Sequence, residues 1–232
     1  MNDLKDFRQL GSKTAGHPEN ILTDGIEVTT GPLGQGIANA VGLALAEANL
    51  AANFNRPDFC LIDNFTFVLC GDGCLQEGIS AEALSLAGHL KLGRLIVIYD
   101  DNKVTIDGET DLSFTEDVSK RFEAYGFHVE EVEDGDNSIE SFHHAIERAK
   151  SNLQQPSLIR VKTTIGFGSK YQGTEKVHGA PLGQEEVFAV KEKLGFNPNA
   201  SFFVPPEVYS FYQSVNSDNE SKYSQWHELF IK

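Results

Sequence analysis

The sequence predicts an α/β domain with a mainly parallel sheet and helices on both faces. Three observations lead there. Apolar, β-branched runs of strand length recur at residues 65–70, 95–99 and 158–164, each stopped by glycine or polar residues. Between them lie stretches of ten or more residues with helical periodicity, and this alternation builds right-handed βαβ units. Finally, a Gly-Asp-Gly cluster and an Asp-Asp-Asn cluster directly follow the first two runs, at the strand ends where such sheets bind ligands.

Taken in order, the chain starts with a polar segment that ends in Gly31-Pro32-Leu33-Gly34-Gln35-Gly36. Apolar residues then fall at Ile37, Val41, Ala44, Leu45 and Ala48, a helical spacing whose alanines suit close packing. The run at 65–70 reads as a buried strand ending in a tight turn at 71–73, and residues 77–92 as the next helix. A second buried strand at 95–99 ends at Asp100-Asp101-Asn102. A helix over 118–125, a strand near 128–132, a helix over 138–152 and a strand over 158–164 continue the pattern. Residues 166–183 are glycine-rich and polar, long enough for a functional loop. A last helix covers 184–194, and beyond Pro198 the pattern weakens into a linker-like tail.

Composition narrows the function classes. The 232 residues carry 19 Lys plus Arg against 34 Asp plus Glu, a net charge of −15, which argues against a nucleic acid partner. An anionic ligand must then be held by backbone N–H groups, a metal ion or a few histidines. The N-terminus has no signal-peptide pattern and no apolar run approaches membrane-spanning length, so the expected setting is cytoplasmic, with no membrane partner. Cys60, Cys70 and Cys74 match neither a zinc site nor a disulfide framework and are expected as buried or partly buried free thiols.

The chemistry concentrates at Asp72, between two glycines after one strand, and Asn102, after the next. A carboxylate and an amide oxygen suit Mg²⁺, which takes few protein oxygens and completes its octahedron with phosphate and water. Gly71 and Gly73 allow a phosphate group close to the backbone, and a helix starting after Gly73 would offer free N–H groups. His17 and His178 lie in loops framed by glycine and proline, where an imidazole can exchange protons near neutral pH. His143 and His144, inside an amphipathic helix, read as structural. The acidic run at 130–136 lacks the ligand spacing of an EF-hand, and neither a P-loop nor a dinucleotide fingerprint is present.

Gly71-Asp72-Gly73-Cys74-Leu75-Gln76-Glu77-Gly78 followed by Asp100-Asp101-Asn102 resembles the thiamine-diphosphate motif of transketolases. Upstream, Gly16-His17-Pro18-Glu19 and Thr29-Thr30-Gly31-Pro32-Leu33-Gly34-Gln35-Gly36 are similar to segments of that family, as are Thr163-Thr164-Ile165-Gly166-Phe167-Gly168 and Val177-His178-Gly179-Ala180-Pro181-Leu182 downstream. The resemblance implies a thiamine-diphosphate-binding fold and transfer of a two-carbon ketol unit from a ketose phosphate to an aldose phosphate, as in the pentose phosphate pathway. It implies thiamine diphosphate and Mg²⁺ as cofactors, with Ca²⁺ or another divalent cation able to substitute.

Residue by residue, the resemblance makes Asp72, Asn102 and the backbone carbonyl of Val104 the metal ligands. It assigns Gly31, Pro32, Leu33, Gly71, Gly73, Asn102, Ile106 and His178 to the cofactor. His17 and His178 are assigned to the substrate, and Glu77 to a carboxylate network at a dimer interface. Residues 1–200 correspond to the diphosphate-binding domain without its beginning, and 201–232 to a linker-like tail. The glutamate that activates the cofactor's aminopyrimidine comes, in the family, from a pyrimidine-binding domain that this chain lacks. The chain is therefore expected to need a partner chain, to form a homodimer or a mixed assembly, and to be inactive alone. Two other readings stay open at this point: a non-catalytic cofactor-binding fragment or partner subunit, and a related enzyme such as dihydroxyacetone synthase or deoxyxylulose-phosphate synthase.

Overall fold

A computed structural model describes residues 2–232. A short helix α1 (Asn2–Lys5) and an irregular stretch precede α2 (Gln35–Phe54). Then come β1 (Thr66–Gly71), α3 (Asp72–Gln76), α4 (Gly78–His89), β2 (Leu95–Asp101) and a small ribbon of β3 (Val104–Thr105) and β4 (Gly108–Glu109). The remainder is α5 (Val118–Tyr125), β5 (His128–Val132), α6 (Ile139–Ser151), β6 (Ser157–Lys162), α7 (Gln184–Lys193) and α8 (Pro206–Phe230). The main sheet is parallel throughout, in the order β1-β2-β6-β5. Its register pairs Gly71 with Asp100 and Asp101 with Lys162, so the glycine-acid and acid-amide clusters emerge side by side at one edge.

Strand periodicity divides the core into two layers. Leu95, Val97 and Tyr99 of β2 face a cluster built with Ile37, Ala40, Val41 and Ala44 of α2, Leu84 and Ala87 of α4, and Phe122 of α5. Ile96 and Ile98 face the other way, onto Ala145 and Ala149 of α6. Fully burying a side chain such as Leu84 or Phe122 contributes about 1.5–3 kcal/mol, so these layers fix the sheet and hence its ligand edge. Helices do cover both faces, but unevenly. Phe67 and Leu69 of β1 point away from α2 and α4 and remain exposed.

Several expectations need adjusting. The buried face of α2 runs through Ile37, Ala40, Val41, Ala44 and Glu47, the side packed on α4 and β1, while Leu45 and Ala48, expected on that face, are exposed. The expected turn at 71–73 is a direct strand-to-helix junction: α3 already begins at Asp72. The next helix is interrupted at Glu77, whose extended backbone (φ −74°, ψ 136°) separates α3 from α4. β2 runs two residues past the expected end, through Asp101. Of the three thiols, Cys70 is buried, Cys74 half-buried and Cys60 exposed, all unpaired. The tail is not patternless. Its 25-residue helix α8 buries none of its residues but is tied back by the Trp226 indole N–H, which donates to the Leu61 carbonyl at 3.0 Å. Among the described residues no helix is long and apolar enough to cross a membrane.

Candidate functional site

The site grows from the junction of β1 with α3 and from the end of β2. Asp72, the first residue of α3, is only 3 % exposed. One of its carboxylate oxygens, Oδ1, accepts a hydrogen bond from the Tyr99 hydroxyl. The other, Oδ2, is buried and has no hydrogen-bond partner among the described residues. Burial pushes the Asp72 carboxyl above its ordinary range, the neighbouring Asp101 and Asp100 charges push it the same way, and the Tyr99 hydrogen bond and Lys103 offset only part of this. A buried carboxylate oxygen without a donor is costly, and a cation is the natural group to complete it.

Asp101 is 2 % exposed and equally deep, yet its surroundings are opposite. Arg160 of β6 donates to Oδ2 at 2.6 Å and Lys103 approaches Oδ1 at 2.8 Å. Burial alone would raise this carboxyl, but the two cations and their hydrogen bonds hold it below its ordinary value. Arg160 reaches on to Glu131 of β5 at 3.2 Å, spanning three strands with one guanidinium.

Asn102 closes the strand. Its side-chain oxygen accepts from the Val104 N–H at 3.0 Å, and its amide group donates to Asp100 Oδ2 at 3.0 Å. Lys103 between them takes φ 64°, the left-handed backbone uncommon outside glycine. That turn folds the chain back so that Val104 follows close upon the Asn102 amide, and an amide oxygen keeps a second lone pair for a cation.

The upstream loop lies over this edge. A methyl group built on Gly73 would come 3.1 Å from Leu33 Cδ1, and one on Gly31 would come 2.9 Å from the His17 ring. Gly34 has φ 80°, and a Cβ there would meet Glu77 Cβ and Ile79 at 2.8 Å. The loop therefore packs onto the break between α3 and α4 only because position 34 has no side chain. Arg121 of α5 fastens the far end of α3, donating to the Leu75 carbonyl at 3.1 Å and to the Tyr125 hydroxyl at 2.9 Å while pairing with Glu116.

The structure thus packs His17 on Gly31 and Leu33 on Gly73, next to Asp72, and places Asn102 and Val104 at the same sheet edge, where Gly71 of β1 pairs with Asp100 of β2. Glu77 is exposed and lies against Gly34. Ile106 is 69 % exposed in the turn between β3 and β4. His178 is exposed at the end of the 166–183 loop, which is anchored to α7 by Lys170 N–H donating to Glu186 at 2.6 Å. His143 and His144 lie on α6 with both rings exposed. The residues that sequence reasoning missed are Tyr99, Asp101 and Arg160. A signal was present for Tyr99: a hydroxyl at the end of an otherwise aliphatic buried strand needs a partner.

Among the described residues there is no cluster of three or more His, Cys, Asp or Glu side chains able to hold a metal. A cation at Asp72 would rely on one carboxylate, the Asn102 amide and backbone or ligand oxygens. That donor set is hard and oxygen-only, as Mg²⁺ and Ca²⁺ require. The orphaned Asp72 oxygen fits it.

A family model described as "Transketolase, thiamine diphosphate binding domain" matches residues 1–232. The chain belongs to the transketolase family. It is 58 % identical over 231 residues to transketolase 1 of Saccharomyces cerevisiae and 52 % identical over 231 residues to the transketolase of Nostoc sp., covering 99 % of this chain in both cases. A crystal structure of transketolase from Pichia stipitis in complex with sedoheptulose 7-phosphate superimposes with a TM-score of 0.97 at 56 % identity over 99 % of this chain. The chain spans 34 % of the length of each of these relatives. Within the transketolase family, the α/β architecture and parallel sheet described above are those of the thiamine-diphosphate-binding fold.

Proposed function

We propose that this chain supplies the metal-diphosphate half of a transketolase-type active site, in an enzyme that moves a two-carbon ketol unit from a ketose phosphate to an aldose phosphate. The observation that carries this reading is the buried, unpartnered Oδ2 of Asp72 at the carboxyl edge of a parallel sheet. Asp72, the Asn102 amide oxygen and the Val104 carbonyl are the ligands proposed for Mg²⁺ or a substituting Ca²⁺. Gly71, Gly73, Asn102 and His178 are assigned to the diphosphate, and Gly31, Pro32, Leu33 and Ile106 to the thiamine. When bound, thiamine diphosphate supplies a nucleophilic thiazolium carbon, chemistry that no protein side chain offers.

The chain's own contribution is to bind and orient. Leu33, packed against Gly73 and half exposed, offers an apolar surface for the cofactor. His17, packed on Gly31, presents an exposed imidazole able to hydrogen-bond sugar hydroxyls. Residues 1–200 form the diphosphate-binding domain in this reading. A homodimer mate or partner chain supplies the pyrimidine-binding domain, with Glu77 at the contact between them. Sugar phosphates are the substrates, which fits the sedoheptulose 7-phosphate bound by the Pichia stipitis enzyme.

The test is a calorimetric titration of the chain with thiamine diphosphate, with Mg²⁺ and with EDTA. Binding is expected only when Mg²⁺ is present, with no ketol transfer by this chain alone and turnover on adding a chain that carries the pyrimidine-binding domain. Equal affinity in EDTA would overturn the metal assignment, and full turnover by the chain alone would overturn the half-site assignment.

A further inference from the structure

We propose that Tyr99 is the positioning residue for Asp72: its hydroxyl holds Oδ1 so that Oδ2 is presented to the cation. The inference rests on the reading of Asp72 as a metal ligand. Tyr99 lies on β2, fully buried, and pairs in register with Cys70, two residues before Asp72. Leu95 and Val97, which share its face, are aliphatic. The core needs only ring volume at position 99, and phenylalanine would provide that. The hydroxyl adds something else. Among the described residues it is the one hydrogen-bond donor that reaches the Asp72 side chain.

The same hydroxyl lies 3.2 Å from Asp101 Oδ1, but one O–H carries one proton. Asp101 is already served by Lys103 at 2.8 Å and Arg160 at 2.6 Å, so the proton goes to the shorter contact with Asp72. Arg160 and Lys103 thereby satisfy Asp101, and the hydroxyl's single hydrogen bond is left for Asp72 at the start of α3. The phenol then fixes one carboxylate oxygen of Asp72, which prevents the carboxylate from turning and exchanging its two oxygens. Partners that orient a metal ligand in this way are worth about 10–100-fold in metal affinity.

The competing explanation is that Tyr99 is a packing residue whose hydroxyl found the nearest acceptor. The two are separated with the full chain by titrating Mg²⁺ at saturating thiamine diphosphate, and by recording Mn²⁺ paramagnetic resonance in its place. Tyr99→Phe keeps the ring and removes the donor. It is expected to weaken metal binding about 10–100-fold and to change the Mn²⁺ line shape at saturation, neither of which a packing role would do. Tyr99→4-aminophenylalanine returns an N–H donor to the same place and is expected to recover most of the lost affinity, which also keeps the test informative if the phenylalanine variant folds poorly. Asp72→Ala serves as the reference. If it abolishes metal binding while Tyr99→Phe leaves affinity and line shape unchanged, or if the amino variant rescues nothing, the positioning role is rejected. If Asp72→Ala itself binds metal normally, the ligand reading fails first, and the positioning role with it.

Discussion

Asp72 and Asp101 are buried to the same depth, sit within reach of the same tyrosine hydroxyl, and behave in opposite ways. Asp101 has two cations on it and is held below its ordinary pKa; Asp72 has a neutral hydroxyl on one oxygen, nothing on the other, and is pushed up. Burial alone therefore does not decide what a carboxylate is for. The supply of donors around it does. A carboxylate with all its lone pairs met is structural, and one left short at a ligand edge is poised for a cation. Glu47 on α2 sharpens the point. It too is buried with a raised pKa, chiefly from desolvation, and its Oε1 makes no hydrogen bond among the described residues, but that oxygen faces Arg94 Nε in an ion pair at 3.4 Å, away from the sheet's carboxyl edge. An oxygen without a hydrogen bond marks a cation site only where no cation of the protein already faces it.

The largest effect should come from the fully paired member. Asp101→Ala removes the closer carboxylate partner of the half-buried Arg160 guanidinium, leaving it only Glu131, and is expected to cost about 3 kcal/mol of stability, read by urea denaturation. Because the Asp101 carboxyl lies below its ordinary value, its contribution is fully present above that value. It is lost only as the pH falls through the lowered one, so wild type and variant should converge only under acid conditions below roughly pH 4. Equal stability at neutral pH would break the contrast.

Asp72→Ala should do the reverse. It is expected to weaken Mg²⁺-dependent thiamine diphosphate binding by at least about a hundredfold, near 2.8 kcal/mol, while apo stability holds or rises because an unmet carboxylate is gone. Calorimetry showing unchanged affinity, or a fall in apo stability as large as that of Asp101→Ala, would contradict the assignment.

Glu47→Gln is the smaller control. The Glu47 pKa is raised, so wild-type stability declines as the pH climbs from the ordinary glutamate value through the raised one, and the penalty is complete above it. The glutamine variant should be more stable by about 1 kcal/mol at pH 7 and show no gain near pH 4, with metal binding unaltered. Loss of metal binding in this variant would mean that orphan oxygens away from the edge matter too. Smallest of all, His17→Ala, at an exposed side chain, should shift stability by less than about 0.5 kcal/mol in a thermal melt, so any loss of substrate affinity it causes is a binding effect.

Much of this was legible in the chain. The apolar runs and their spacing placed the main-sheet strands and the helices α2 and α4 to α7 to within a few residues, because strand and helix periods are local properties of the sequence, while α8 was read as a linker. Asp72 and Asn102 stood out for the same reason: turn-forming and oxygen-bearing residues directly followed buried strands. The α2 face was misread at Leu45 and Ala48, and the separate short helix α3 ahead of Glu77 was not foreseen, since both depend on how α2, α4 and the 31–34 loop meet.

The sequence by itself determined the parallel α/β order, the two strand-end clusters and the kind of ligand they suit, because each follows from residue type and short-range spacing. Only the tertiary structure decided which of two adjacent acids is satisfied and which is left open. That depends on Arg160, 59 residues from Asp101, and on Tyr99, 27 residues from Asp72. The partners become neighbours only when β1, β2 and β6 align in register. Until the strands pair, both aspartates have water, and nothing in their local sequence distinguishes them.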